Sequence, residues 1–144
     1  MNRTYPRALL CALFVSLALP ARATVDEAHD YTMEAAVPFV DQGYTVREDY
    51  WNGEVESGQK LAIRHQLFKG NEYAFWLGTA SDDCELELSV YDSKGQPVHM
   101  ERKADEHTVS VRVNPPRTGT YTVVFSVKSK KDRGVTWALA YGYR

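Results

Sequence analysis

The sequence predicts an all-β protein, an antiparallel sandwich or barrel of about eight short strands behind a short helical lead-in. Three observations predict it. From Tyr44 onward, apolar residues recur at every second position. Clusters rich in Gly, Pro, Asn and Asp punctuate these runs at short intervals. Residues 25–42 stand apart, with apolar positions near helical spacing and acids between them.

The helical segment rests on Val25, Met33, Ala36, Val37 and Val40. Asp26 is the expected cap and Gly43 the expected stop. Pro38 disfavours a helix interior and pushes Val37 toward extended geometry. The helix is therefore expected over residues 27–37, with a kinked continuation to Gln42 as the alternative.

Strands follow in order. Tyr44, Val46 and Tyr50 share one face, with a break expected at Trp51-Asn52-Gly53. Leu61, Ile63, His65 and Leu67 alternate with Ala62, Arg64 and Gln66, and Lys69-Gly70-Asn71 makes a turn. Tyr73, Phe75 and Leu77 form the next run, which sends Trp76 to the opposite face. Leu86, Leu88 and Val90 alternate with Glu85, Glu87 and Ser89 before the turn Asp92-Ser93-Lys94-Gly95. A short strand is expected around Val98 and Met100, then one carrying Val109, Val111 and Val113. Pro115 and Pro116 interrupt pairing, because proline has no N–H to donate. Tyr121, Val123, Phe125 and Val127 make another strand, residues 129–134 a charged loop, and Val135, Trp137, Leu139 and Tyr141 the last strand. One apolar and one polar face per strand fits a sheet packed on one side.

The first 23 residues read as a cleavable export signal. Arg3 and Arg7 precede an apolar run over residues 9–19, and Ala21-Arg22-Ala23 is a small-x-small cleavage pattern. The run is too short to span a bilayer, which needs about 20 residues. Cys11 lies inside the run, not after it as a lipidated cysteine would. The mature chain is thus expected to start at Thr24, with a helical lead-in over residues 24–43 and a β-domain over residues 44–144. It would have no membrane span after processing and would reside in the periplasm or outside the cell.

Processing removes Arg3, Arg7 and Arg22 and no acid, leaving 14 basic against 19 acidic side chains, a net charge of −5. That balance argues against nucleic acid, whose phosphates demand a basic face, and against anionic lipid. Cys84 is then the single cysteine, so no internal disulfide forms and stability comes from a core. Cys84 either pairs between chains or serves as a small buried apolar residue.

Three segments resemble a known family. Glu85-Leu86-Glu87-Leu88 runs into Tyr91-Asp92-Ser93-Lys94-Gly95, Pro116-Arg117-Thr118-Gly119-Thr120-Tyr121 enters a strand, and Phe68-Lys69-Gly70-Asn71-Glu72-Tyr73 makes a hairpin. Through these, residues 58–143 resemble the bacterial pre-peptidase C-terminal domain. The resemblance implies a jelly-roll-like β-sandwich, found beside exported enzymes and sometimes alone. Some relatives bind calcium, but glutamates stand at 85 and 87 where the family has aspartates.

Chemistry-bearing residues are few. There is no Gly-x-Ser-x-Gly elbow, and no spacing singles out His29, His65, His99 or His107 as a base for Cys84. His65 shares a face with Ile63 and Leu67 and is expected as a core or boundary residue. Asp82, Asp83, Glu85, Glu87 and Asp92 are weak calcium candidates, read first as a solvated acidic face that discourages edge pairing. Tyr50, Trp51 and Trp76 are candidates for an aromatic ligand patch, although burial of these rings beneath the helix is the preferred reading, since large exposed apolar patches are uncommon on monomers. The leading functional expectation is an exported, non-catalytic binding or accessory module for a polysaccharide, an envelope component or a protein. An assembly subunit joined through a strand edge or Cys84 is the alternative, and a small hydrolase comes third.

Overall fold

A computed structural model describes residues 23–144. The expected export signal lies outside the described residues, apart from Ala23. Among the described residues there are one helix and nine strands in two antiparallel sheets, an all-β sandwich with an N-terminal helix.

Helix α1, Val25–Asp41, starts with a capping box. Thr24 Oγ1 accepts the Glu27 N–H at 3.1 Å, and the Glu27 carboxylate accepts the Thr24 N–H at 3.3 Å. The cap is therefore Thr24 rather than Asp26, because only Thr24 lies three residues before a glutamate. The helix also runs through Pro38 instead of ending at Val37. Pro38 forfeits one backbone hydrogen bond. Phe39, one residue on, is buried edge-on to Trp76 and Tyr44, with ring centroids 5.4 Å apart in each pair, and this packing holds the last turn. Gly43 ends the helix as expected, with φ of 94° in the left-handed region.

Strands β1, Thr45–Val46, and β2, Trp51–Glu56, both pair with β9, Gly134–Tyr143. The expected break at Trp51-Asn52-Gly53 is instead the start of β2. Gly53 lies opposite Trp137, and a Cβ there would sit 3.4 Å from the indole, so the missing side chain makes room for the ring. Strands β3 (Leu61–Leu67), β4 (Tyr73–Gly78), β5 (Cys84–Tyr91) and β7 (Thr108–Val113) fall where alternation placed them, as does β8 (Gly119–Ser129). Strand β6, Met100–Ala104, begins at Met100 and extends further than expected.

The larger sheet runs β6–β7–β4–β9, with β1 and β2 in succession on the far side of β9. The smaller is β3–β8–β5. Phe75, Leu77, Val111 and Leu139 from the larger sheet belong to one core with Leu88, Val90, Val123 and Phe125 from the smaller. All six residues of β4 are buried, because both faces of this strand are covered. Its odd positions enter the sandwich core, whereas Ala74 and Trp76 pack with Ala36, Phe39 and Ala140 beneath the helix. Small residues on both sides let backbone approach backbone, since a Cβ on Gly78 would lie 2.7 Å from the Ala28 carbonyl oxygen.

Two strand-entry tyrosines tie down turns. Tyr121 donates its hydroxyl to the Arg117 carbonyl at 2.6 Å, and the Tyr73 hydroxyl accepts the Phe68 N–H at 2.9 Å. Each ring is buried while its oxygen is satisfied.

Candidate functional site

The three aromatic candidates do not form one patch. Trp76 is completely buried beneath α1, so it is corrected from ligand contact to core residue. Trp51 turns inward, half-buried, with its ring 5.9 Å from Tyr141 and 6.1 Å from His65. Tyr50 stays 43% exposed and stacks on His29 of α1 at 4.0 Å. Consecutive extended residues point to opposite sides of a sheet, which separates Tyr50 from Trp51. Burial pulls the His65 pKa below its ordinary value, against the opposing pull of Asp49. His65 packs against Tyr141 at 4.4 Å, at the boundary of the core as expected.

The acidic candidates are also dispersed. Asp83 adopts a left-handed φ of 51° and pairs with Lys131 at 2.9 Å; the hydrogen bond from Lys131 holds its carboxyl below the usual range. Glu85 and Glu87 lie on the exposed face of β5, opposite Lys128 and Ser126 of β8. Asp92 Oδ1 accepts the N–H groups of Lys94 and Gln96, both at 2.9 Å, and so fixes its own turn. The weak calcium candidates are therefore not brought together. Asp82 alone meets other ligand atoms, those of Glu106 and His107 on the turn between β6 and β7. Cys84 is half-buried, burial pushes its thiol pKa up, and its Sγ approaches the Asp82 carbonyl at 3.4 Å.

Among the clefts that border the sandwich, two bear on function. One, of about 430 Å³, lies on the outer face of the smaller sheet, lined by Arg64 of β3, Tyr91 of β5, Thr120 and Thr122 of β8, and Asp92. The second, of about 330 Å³, runs between α1 and the β6–β7 hairpin, and its walls include Tyr31, Glu34, Lys103 and His107. His107 stacks on Tyr31 at 4.2 Å with the rings 14° from parallel.

The outer face of the smaller sheet was not singled out from the sequence, although one signal was present. Tyr91 shares parity with Glu85, Glu87 and Ser89, which puts a tyrosine on a polar face. Glu106 and His107 carried no such signal, since their meeting with Asp82 depends on which two loops adjoin. No protein-family model matches the chain, and no curated protein is similar enough to it to count as a relative.

Proposed function

We propose that this protein is an exported, non-catalytic binding module of the pre-peptidase C-terminal kind, and that it binds through the outer face of its smaller sheet. One observation carries the reading. The helix covers the outer face of the larger sheet, whereas the outer face of the smaller sheet holds an open cleft of about 430 Å³ lined by hydrogen-bonding groups and one tyrosine ring. Arg64, Asp92, Thr120 and Thr122 supply donors and acceptors, and Tyr91 supplies an apolar surface on which a sugar ring can stack. A polysaccharide is the ligand class that best matches such a face. Cys84 does not line the cleft beside His107, and its raised thiol pKa keeps it protonated, so the hydrolase reading gains no support.

A thermal-shift screen against a glycan panel tests the proposal, since a ligand that binds only the folded state raises its melting temperature. A rise with one glycan class is expected, abolished by Tyr91→Ala and reduced by Arg64→Ala. A rise that survives both substitutions, or no rise with any glycan, sinks the reading.

A further inference from the structure

We propose that Asp82, Glu106 and His107 form a binding site for a divalent transition-metal ion of the zinc class. The site joins two loops at one end of the sandwich. Asp82 stands on the connection between β4 and β5, and Glu106 and His107 stand on the turn between β6 and β7. A hydrogen bond from Thr79 N to the His107 carbonyl, 2.9 Å long, locks the two loops together. The first loop is anchored a second time, by Thr79 Oγ1 on the buried Thr136 carbonyl at 2.8 Å.

The geometry is that of a chelate rather than a hydrogen-bonded cluster. His107 Nε2 lies 3.7 Å from Asp82 Oδ1 and 3.9 Å from Glu106 Oε1. Both separations exceed hydrogen-bond reach. The three ligand atoms nonetheless lie within 4.8 Å of one another. Metal–ligand bonds of about 2.0–2.2 Å place neighbouring ligand atoms roughly 3–4 Å apart, so a small cation fits between them with little movement. Two carboxylates converging on one ring nitrogen also make a centre of negative potential that a cation relieves.

The ligand types choose the metal. Calcium takes six to eight oxygens, whereas an imidazole nitrogen with two carboxylates suits zinc and its neighbours. The two carboxylates are mobile donors, with side chains 76% and 74% exposed, and the imidazole is the fixed one, 14% exposed and stacked on Tyr31. When Nε2 takes the metal, Nδ1 carries the proton. Nδ1 is buried and has no hydrogen-bond partner among the described residues, so the site lacks the outer partner that strengthens zinc binding. A dissociation constant on the order of micromolar, weaker than a structural zinc site, follows. Three protein ligands leave a coordination position open for water or for a donor from a partner.

The test is a titration of the purified protein with Co²⁺, read by its visible absorption, followed by displacement with Zn²⁺. One saturable site is expected, displaced by zinc and not by calcium. Asp82→Asn and Glu106→Gln should each weaken binding at least about tenfold, by comparison with the loss an outer-shell change causes. His107→Gln should abolish it. Because the two carboxylates are solvent-exposed, their variants keep the fold and decide the matter even if His107→Gln does not fold. Lack of saturable binding, binding that both carboxylate variants leave unchanged, or displacement by calcium overturns the assignment.

Discussion

Gly78 lies directly beneath Thr32: a methyl group built on Gly78 would collide with Thr32 Oγ1 and come within 2.7 Å of the Ala28 carbonyl oxygen. The helix rests on β4 at this point with no side chain from the strand between them. Gly78→Ala should therefore lift the helix and lower stability by about 1–3 kcal/mol, the usual cost of overpacking. Urea unfolding measures it. Adding Thr32→Ala removes one of the colliding groups, so the double variant should lose less than the sum of the two single losses. Strict additivity would mean that the two residues do not press on each other.

Trp76 is the largest side chain under the helix. Trp76→Ala should cost about 3–5 kcal/mol. Trp76→Phe should cost much less than that, because the indole Nε1 is buried without a hydrogen-bond partner among the described residues and its removal strands no acceptor. Chemical denaturation of both variants checks the order. Equal losses would show that the phenyl ring does not fill the space beneath the helix in place of the indole.

The capping box at Thr24 and Glu27 should be worth about 1 kcal/mol, read as the loss caused by Thr24→Ala. Asp26→Ala should matter less, since Asp26 contributes only its charge near the helix start. A larger loss at Asp26 than at Thr24 would return the cap to Asp26.

Stability should fall as the pH drops through the ordinary histidine range. Burial depresses His65 in the folded state, with Arg47 lowering it further and Asp49 opposing. The unfolded chain then takes up a proton first, near pH 6.5, and is favoured below that point. The contribution is present in full above the ordinary histidine pKa and is lost as the pH falls through the folded one. The urea midpoint should be higher at about pH 7.5 than at about pH 5.5. His65→Gln should shrink that difference, and an unchanged difference would remove His65 as its source.

The strands were legible because period-two alternation is a local property. Leu61 to Leu67 and Tyr121 to Val127 each announce a packed face within a single window. Gly53 misled as a break because its space is filled by Trp137, which is 84 positions away in the chain. Parity correctly sent Trp76 to the face opposite Phe75, but parity alone does not say what covers that face. The candidate sites were the least legible part. Tyr91 was visible only as a tyrosine out of place on a polar face. Asp82 reaches His107 only because β5 of the smaller sheet and β6 of the larger sheet, which intervene in the chain, return it to the same end of the sandwich.

Strand β9 has a bearing on timing. It pairs with β1, β2 and β4 and lies under the helix, yet its residues, Gly134–Tyr143, are far in sequence from all of these partners. Without β9, neither β1 nor β2 has a partner in the larger sheet. The pairings of β9 with β1, β2 and β4 span much of the chain, and pairings this distant in sequence form slowly. The larger sheet therefore closes through contacts that its local hairpins cannot supply, and it is complete only once β9 has docked.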